Sequence, residues 1–108
     1  MFDLKDVEKA MKYLAETDES CAMAKARMTA DKERIKTTLA MCFLDARGAN
    51  VRERESEAMA SQIYGKAIED YADSVGEYEI QRNKRLRAAL TVEVWRSINS
   101  ARTKGVMT

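Results

Sequence analysis

Leu39-Ala40-Met41-Cys42-Phe43-Leu44-Asp45-Ala46-Arg47-Gly48-Ala49-Asn50-Val51-Arg52-Glu53 is the stretch on which the fold turns. A run of helix formers ends in Arg47-Gly48-Ala49-Asn50. A glycine at 48 suits the left-handed conformation that closes a helix. Asn50 followed three residues later by Glu53 has the form of a capping box that opens the next one. The reading is helix, turn over 47–50, helix.

Upstream of the turn, Cys21, Ala24, Met28, Ile35, Leu39, Cys42 and Ala46 recur at alternating three- and four-residue steps, with Phe43 alongside and one skipped position near Asp31. That heptad-like pattern predicts a helix over 19–46. Further back, Phe2, Leu4, Val7, Met11 and Leu14 predict a short first helix over 3–15, with Asp3 and Asp6 near its positive end. Glu16-Thr17-Asp18-Glu19-Ser20 interrupts the apolar pattern, and Thr17 or Asp18 could cap the second helix. Whether the chain breaks there or runs on stays open. Downstream, a weakly apolar short helix is predicted over 51–59. Ser61 is placed to cap a third helix over 62–100, whose seam is Tyr64, Ile68, Tyr71, Val75 and Tyr78. Residues 101–108 are expected to form a flexible tail.

Composition agrees. The chain has 108 residues, no proline and four glycines, with 45% apolar and 34% charged residues. So few turn formers exclude β-meanders and sandwiches, and the surplus of charge suits helices that each bury only a stripe. The expectation is a single all-α domain, a long antiparallel helical hairpin of coiled-coil character that assembles as a homo-oligomer. Charge supports the pairing. Residues 25–36 carry five basic and two acidic side chains, whereas 66–79 carry one basic and five acidic, and folding about Gly48 brings the blocks together. No run approaches the ~18 apolar residues of a membrane span, and the acidic opening Met-Phe-Asp-Leu-Lys-Asp is unlike a signal peptide. A soluble, cytoplasmic protein is expected. Cys21 and Cys42, on one helix, would lie roughly 31 Å apart, which excludes a bridge between them and suits a reducing compartment.

Chemistry is sparse. Histidine is absent, and no phosphate-binding glycine loop, nucleophile elbow or paired-cysteine motif occurs. Glu69 and Asp73 form an i, i+4 carboxylate pair that would need a second helix to hold a metal. The expectation is therefore no catalytic residue, no metal and no cofactor. The informative segment begins at Arg82, from which seven basic residues and one acidic residue run to Lys104. Arg82, Lys84, Arg85 and Arg87, with Arg96 and Arg102 assisting, are candidates for contact with nucleic-acid phosphates, Tyr78 and Trp95 offering faces on which bases could stack. Ion pairs to Glu16, Asp18 and Glu19 are the competing reading. Around the same helix the apolar stripe swings to Leu86, Leu90, Val94 and Ile98, with Trp95 beside it. The third helix is thus expected to change partner near Arg82, to the short first helix, another subunit or both; a homo-oligomer interface of these five residues is the preferred reading and one compact three-helix bundle the alternative.

Ala88-Ala89-Leu90-Thr91-Val92-Glu93-Val94-Trp95-Arg96-Ser97, together with Met11–Asp18 and the step from Ser61 to Tyr64, resembles small helical proteins of tailed bacteriophages and prophages. The layout, a basic hairpin with an oligomerising C-terminal part, is also similar to phage recombination mediators. The resemblance implies a bacterial host cell and an accessory role in DNA recombination or replication, and it carries over no site residues. Two functions are expected: an oligomeric, non-enzymatic binder of single-stranded DNA, or a module that binds a host or phage protein, such as an inhibitor of a host defence.

Overall fold

The computed structural model describes residues 3–103 and Gly105. Among them are three helices, α1 (Leu4–Asp45), α2 (Val51–Met59) and α3 (Gln62–Thr103), and no strand. The chain divides into two compact units, one of Met1–Ala22 with Glu79–Thr108 and one of Met23–Tyr78. In each, α1 and α3 pair antiparallel, so the fold is an all-α helical hairpin.

In the unit Met23–Tyr78 the turn is held by its own side chains. Asn50 caps α2, its side-chain oxygen accepting from the Glu53 amide at 2.9 Å. The Glu53 carboxylate reaches back to the amide of Ala49 at 2.8 Å, one residue earlier than a standard capping box. Arg54 Nε donates to the Gly48 carbonyl at 2.9 Å. Gly48 does not take the left-handed conformation expected of it, since Gly105 is the positive-φ glycine among the described residues. Its reason is space. A Cβ at 48 would stand 2.7 Å from Glu53 Cβ and 2.9 Å from the Arg54 amide nitrogen, where no side chain fits. Gly65 and Gly76 have open space around them and accommodate no close neighbour. Ser61 caps α3 as expected, its hydroxyl accepting from the Ile63 amide at 3.2 Å.

The pairing follows a strict heptad step. On α1 of this unit Ala24, Met28, Asp31, Ile35, Thr38 and Cys42 are sheltered at this step, and on α3 Tyr64, Ala67, Tyr71, Ser74 and Tyr78, with Leu39, Phe43 and Val75 half-buried beside them. The expected seam passes through Ile68 and Val75. Ile68 lies exposed instead, because the smaller Ala67 and Ser74 occupy the positions nearest α1. Cys42 with Ser61, Asp31 with Ser74 and Arg27 with Glu77 mark antiparallel register, the last pair at 3.4 Å.

In the unit of the chain ends, Val7, Ala10 and Val92 form a small core on which Ala88 and Trp95 pack. Burying a valine stabilises by roughly 1.5–3 kcal/mol, so this cluster carries much of the unit. The seam here is Val7, Ala10, Leu14, Thr17 and Cys21 against Gln81, Arg85, Ala88, Val92 and Trp95. The separate first helix does not exist, since α1 runs without a break from Leu4 to Asp45. Thr17, expected as a cap, turns its hydroxyl onto the Tyr13 carbonyl of its own helix at 2.7 Å, and Ser20 does the same to the Thr17 carbonyl at 3.1 Å. Beyond Arg82 the partner is the stretch expected as the first helix, here part of α1: Arg85 reaches Leu14 and Thr17, and Val92 packs with Val7 and Ala10. The expected tail is helical as far as Thr103. Phe2, Lys104 and 106–108, on which parts of these expectations fall, lie outside the described residues.

Candidate functional site

The basic segment of α3 winds around the helix, and the structure separates its members. Arg85 enters the seam. Its Nη1 donates to the Leu14 carbonyl and to Thr17 Oγ1, each at 2.7 Å. The Thr17 hydroxyl gives its own proton to Tyr13, so it is free to accept. Nη2 lies 3.4 Å from Asp18 Oδ1, the ion pair expected between the acidic start of α1 and this stretch. With 22% of its side chain accessible, Arg85 is a strut between helices before it is a ligand for phosphate.

Arg82 and Arg96 stand outside the seam and pair with acids one turn back on their own helix, Glu79 at 3.6 Å and Glu93 at 3.3 Å. Such exposed pairs are worth about 0.2–1 kcal/mol and exchange readily for another anion. Lys84, Arg87 and Arg102 are exposed and have no ion-pair partner among the described residues. They are the three of the six expected cations that project freely into solvent.

The five expected interface residues divide as well. Leu86 and Leu90, four residues apart on the side of α3 turned from the seam, are 53% and 61% exposed. Val94 and Ile98 are half-buried, and Trp95 spends its ring on the Val7–Ala10–Val92 core within the chain.

A second polar feature, in the unit Met23–Tyr78, is invisible to apolar periodicity, in which Asp31 is only a skipped position. Asp31 and Ser74 are 6% and 4% exposed. The Ser74 hydroxyl lies against the Asp31 carboxylate and within 3.0 Å of the Asp70 carbonyl. It has one proton to give, and the charged acceptor takes it. Arg34 Nη1 donates to the other Asp31 oxygen at 2.8 Å. Nearby, Asp70 accepts from Lys66, whose pKa that hydrogen bond raises. Counting heptad steps through polar residues finds Asp31, since it falls three residues after Met28 and four before Ile35.

Among the described residues no group of three or more histidine, cysteine, aspartate or glutamate side chains is placed to hold a metal, and no helix is long and apolar enough to cross a membrane. Both cysteines are free and half-buried. No protein-family model, curated protein or solved structure matches this chain.

Proposed function

We propose that this is a non-enzymatic helical assembly protein that works by self-association, organising a complex rather than transforming a substrate. One observation carries the reading. The seam buries mainly small or polar side chains, and no large one is fully buried among the described residues, while Leu86, Leu90, Met41, Leu44, Met59 and Ile63 remain at least half exposed. Leu44 and Met59 line one cleft, and Leu86 and Leu90 stand one turn apart on α3, so within each unit exposed apolar side chains are grouped as at an interaction surface. In the phage setting that the resemblance implies, such a scaffold would organise a recombination or replication complex.

Sedimentation equilibrium tests it. The wild type should sediment above its 12.3 kDa monomer mass at micromolar concentration. Leu86→Glu with Leu90→Glu should weaken assembly about tenfold or more while helix content by circular dichroism holds, since both side chains leave the hairpin core untouched. A wild type that stays monomeric at every concentration reached would overturn the proposal.

A second reading is single-stranded nucleic acid, favoured by the exposed cations Lys84, Arg87 and Arg102, which have no ion-pair partner among the described residues and which an oligomer would present in multiple copies. Arg87→Ala should then weaken binding and flatten its dependence on salt, each lost phosphate contact lowering the log–log slope by about 0.7. Absence of binding at ~50 mM salt removes this reading and leaves the first standing.

A further inference from the structure

We infer that a cleft in the unit Met23–Tyr78, between the last turns of α1 and α2, receives the same end of a second copy of this chain across a two-fold axis. The inference rests on the self-association proposed above and gives it a further face, at the end of the hairpin that carries the turn.

The cleft, open to solvent, has a volume of about 620 Å³. Leu39 and Phe43 of α1 are half-buried in it and Ala58 of α2 is fully buried, while Leu44 and Met59 stand at its edge, 80% and 60% exposed. Leu44 is the most exposed large apolar residue described. A leucine so placed beside an apolar hollow is both a knob and part of a hole. Methionine at the other edge adapts its shape to what enters.

Charge chooses the occupant. The lining carries one cation and one anion, Lys36 from α1 and Glu55 from α2. Within its own chain Lys36 has only the exposed Glu33 at 3.6 Å, and Glu55 has no ion-pair partner among the described residues. A uniformly acidic or basic segment entering the cleft would satisfy one of these charges and oppose the other. A second copy related by a two-fold axis satisfies both, because residue i meets j and j meets i. Each Lys36 then faces a Glu55 across the interface, twice, around a centre filled by Leu44 and Met59.

The symmetry supplies the test. Lys36→Glu alone places like charges together at two points of the homodimer and should weaken association about tenfold, and Glu55→Lys alone should do the same. Mixed in equal amounts, the two variants should associate as the wild type does, since every reversed charge in the mixed pair meets its opposite. A pair acting only within one chain would be repaired by the double variant but not by mixing. Sedimentation equilibrium of the singles, the mixture and the double variant reads all of this, with circular dichroism confirming helix content. Leu44→Glu with Met59→Glu should weaken association at least as much as either charge reversal. A mixture no heavier than its components overturns the inference. So does a wild-type oligomer indifferent to the cleft variants, which leaves self-association itself intact. A monomeric wild type overturns both.

Discussion

Arg85→Ala is expected to lower the unfolding free energy by about 2–3 kcal/mol, a loss large enough to move the thermal midpoint by roughly 10 °C or more in a chain of this size. The substitution removes a cation whose Nη1 joins the two helices through the Leu14 carbonyl and the Thr17 hydroxyl. Little of the loss comes from Asp18, which is 82% exposed and screened. Most of it comes from the two short hydrogen bonds and from the gap left in the seam. Leu14 keeps its helical partner, but Thr17 Oγ1 loses the donor that faces it. Arg85→Lys should recover less than half, because one ammonium on a flexible stem does not reproduce a planar fork that reaches three acceptors on one face. Arg87→Ala should leave the stability unchanged within about 0.5 kcal/mol, its side chain being exposed and unpaired. Urea denaturation of the three variants checks this. Equal stabilities for Arg85→Ala and Arg87→Ala would mean that Arg85 is not the strut described.

The position of Arg85 bears on how much of the fold is legible in the sequence. The turn and the helix boundaries are legible because their signals are local: Asn50 with Glu53 opens α2, Ser61 opens α3, and α2 spans 51–59 as expected. The antiparallel charge blocks are legible too, and Arg27 meets Glu77 where they predict. The polar part of the seam is not. Thr17, Asp31, Ser74 and Arg85 all occupy heptad positions, yet a search for apolar periodicity reads each as a gap or a break. The interruption at 16–20, which left the continuity of the first two helices open, is itself a run of polar seam residues, and α1 passes through it unbroken. Leu86 and Leu90 draw the stripe away because they are the strongest apolar residues locally, although the smaller Ala88 and Val92 face α1. A helix seam is set by step as well as by hydrophobicity.

Ser74→Val is expected to cost about 2–3 kcal/mol, close to the lower end for breaking a buried charged pair. The Asp31 carboxylate would lose the hydroxyl that solvates it in a position only 6% exposed, keeping Arg34 on its other oxygen. The companion change reverses the sign of the argument. With Asp31→Leu added, no buried charge is left to solvate, and two apolar side chains of suitable bulk fill the same place in the seam. The double variant should therefore return to within about 1 kcal/mol of the wild type or exceed it, as buried polar pairs replaced by apolar ones often do. If so, the pair does not exist for stability. In a seam where Tyr64, Tyr71 and Tyr78 recur every seven residues, sliding α3 against α1 by seven residues puts tyrosine in the place of tyrosine at two positions, but it leaves Asp31 without Ser74. A single buried polar position is the best-attested device for excluding such alternatives. The double variant should then show the expected stability with poorer definition: a broadened unfolding transition and duplicated amide resonances for residues near the seam. Calorimetry and an amide correlation spectrum of the double variant decide the matter. A sharp transition with one set of resonances would show that register is held elsewhere, by Arg85 and the turn at Gly48.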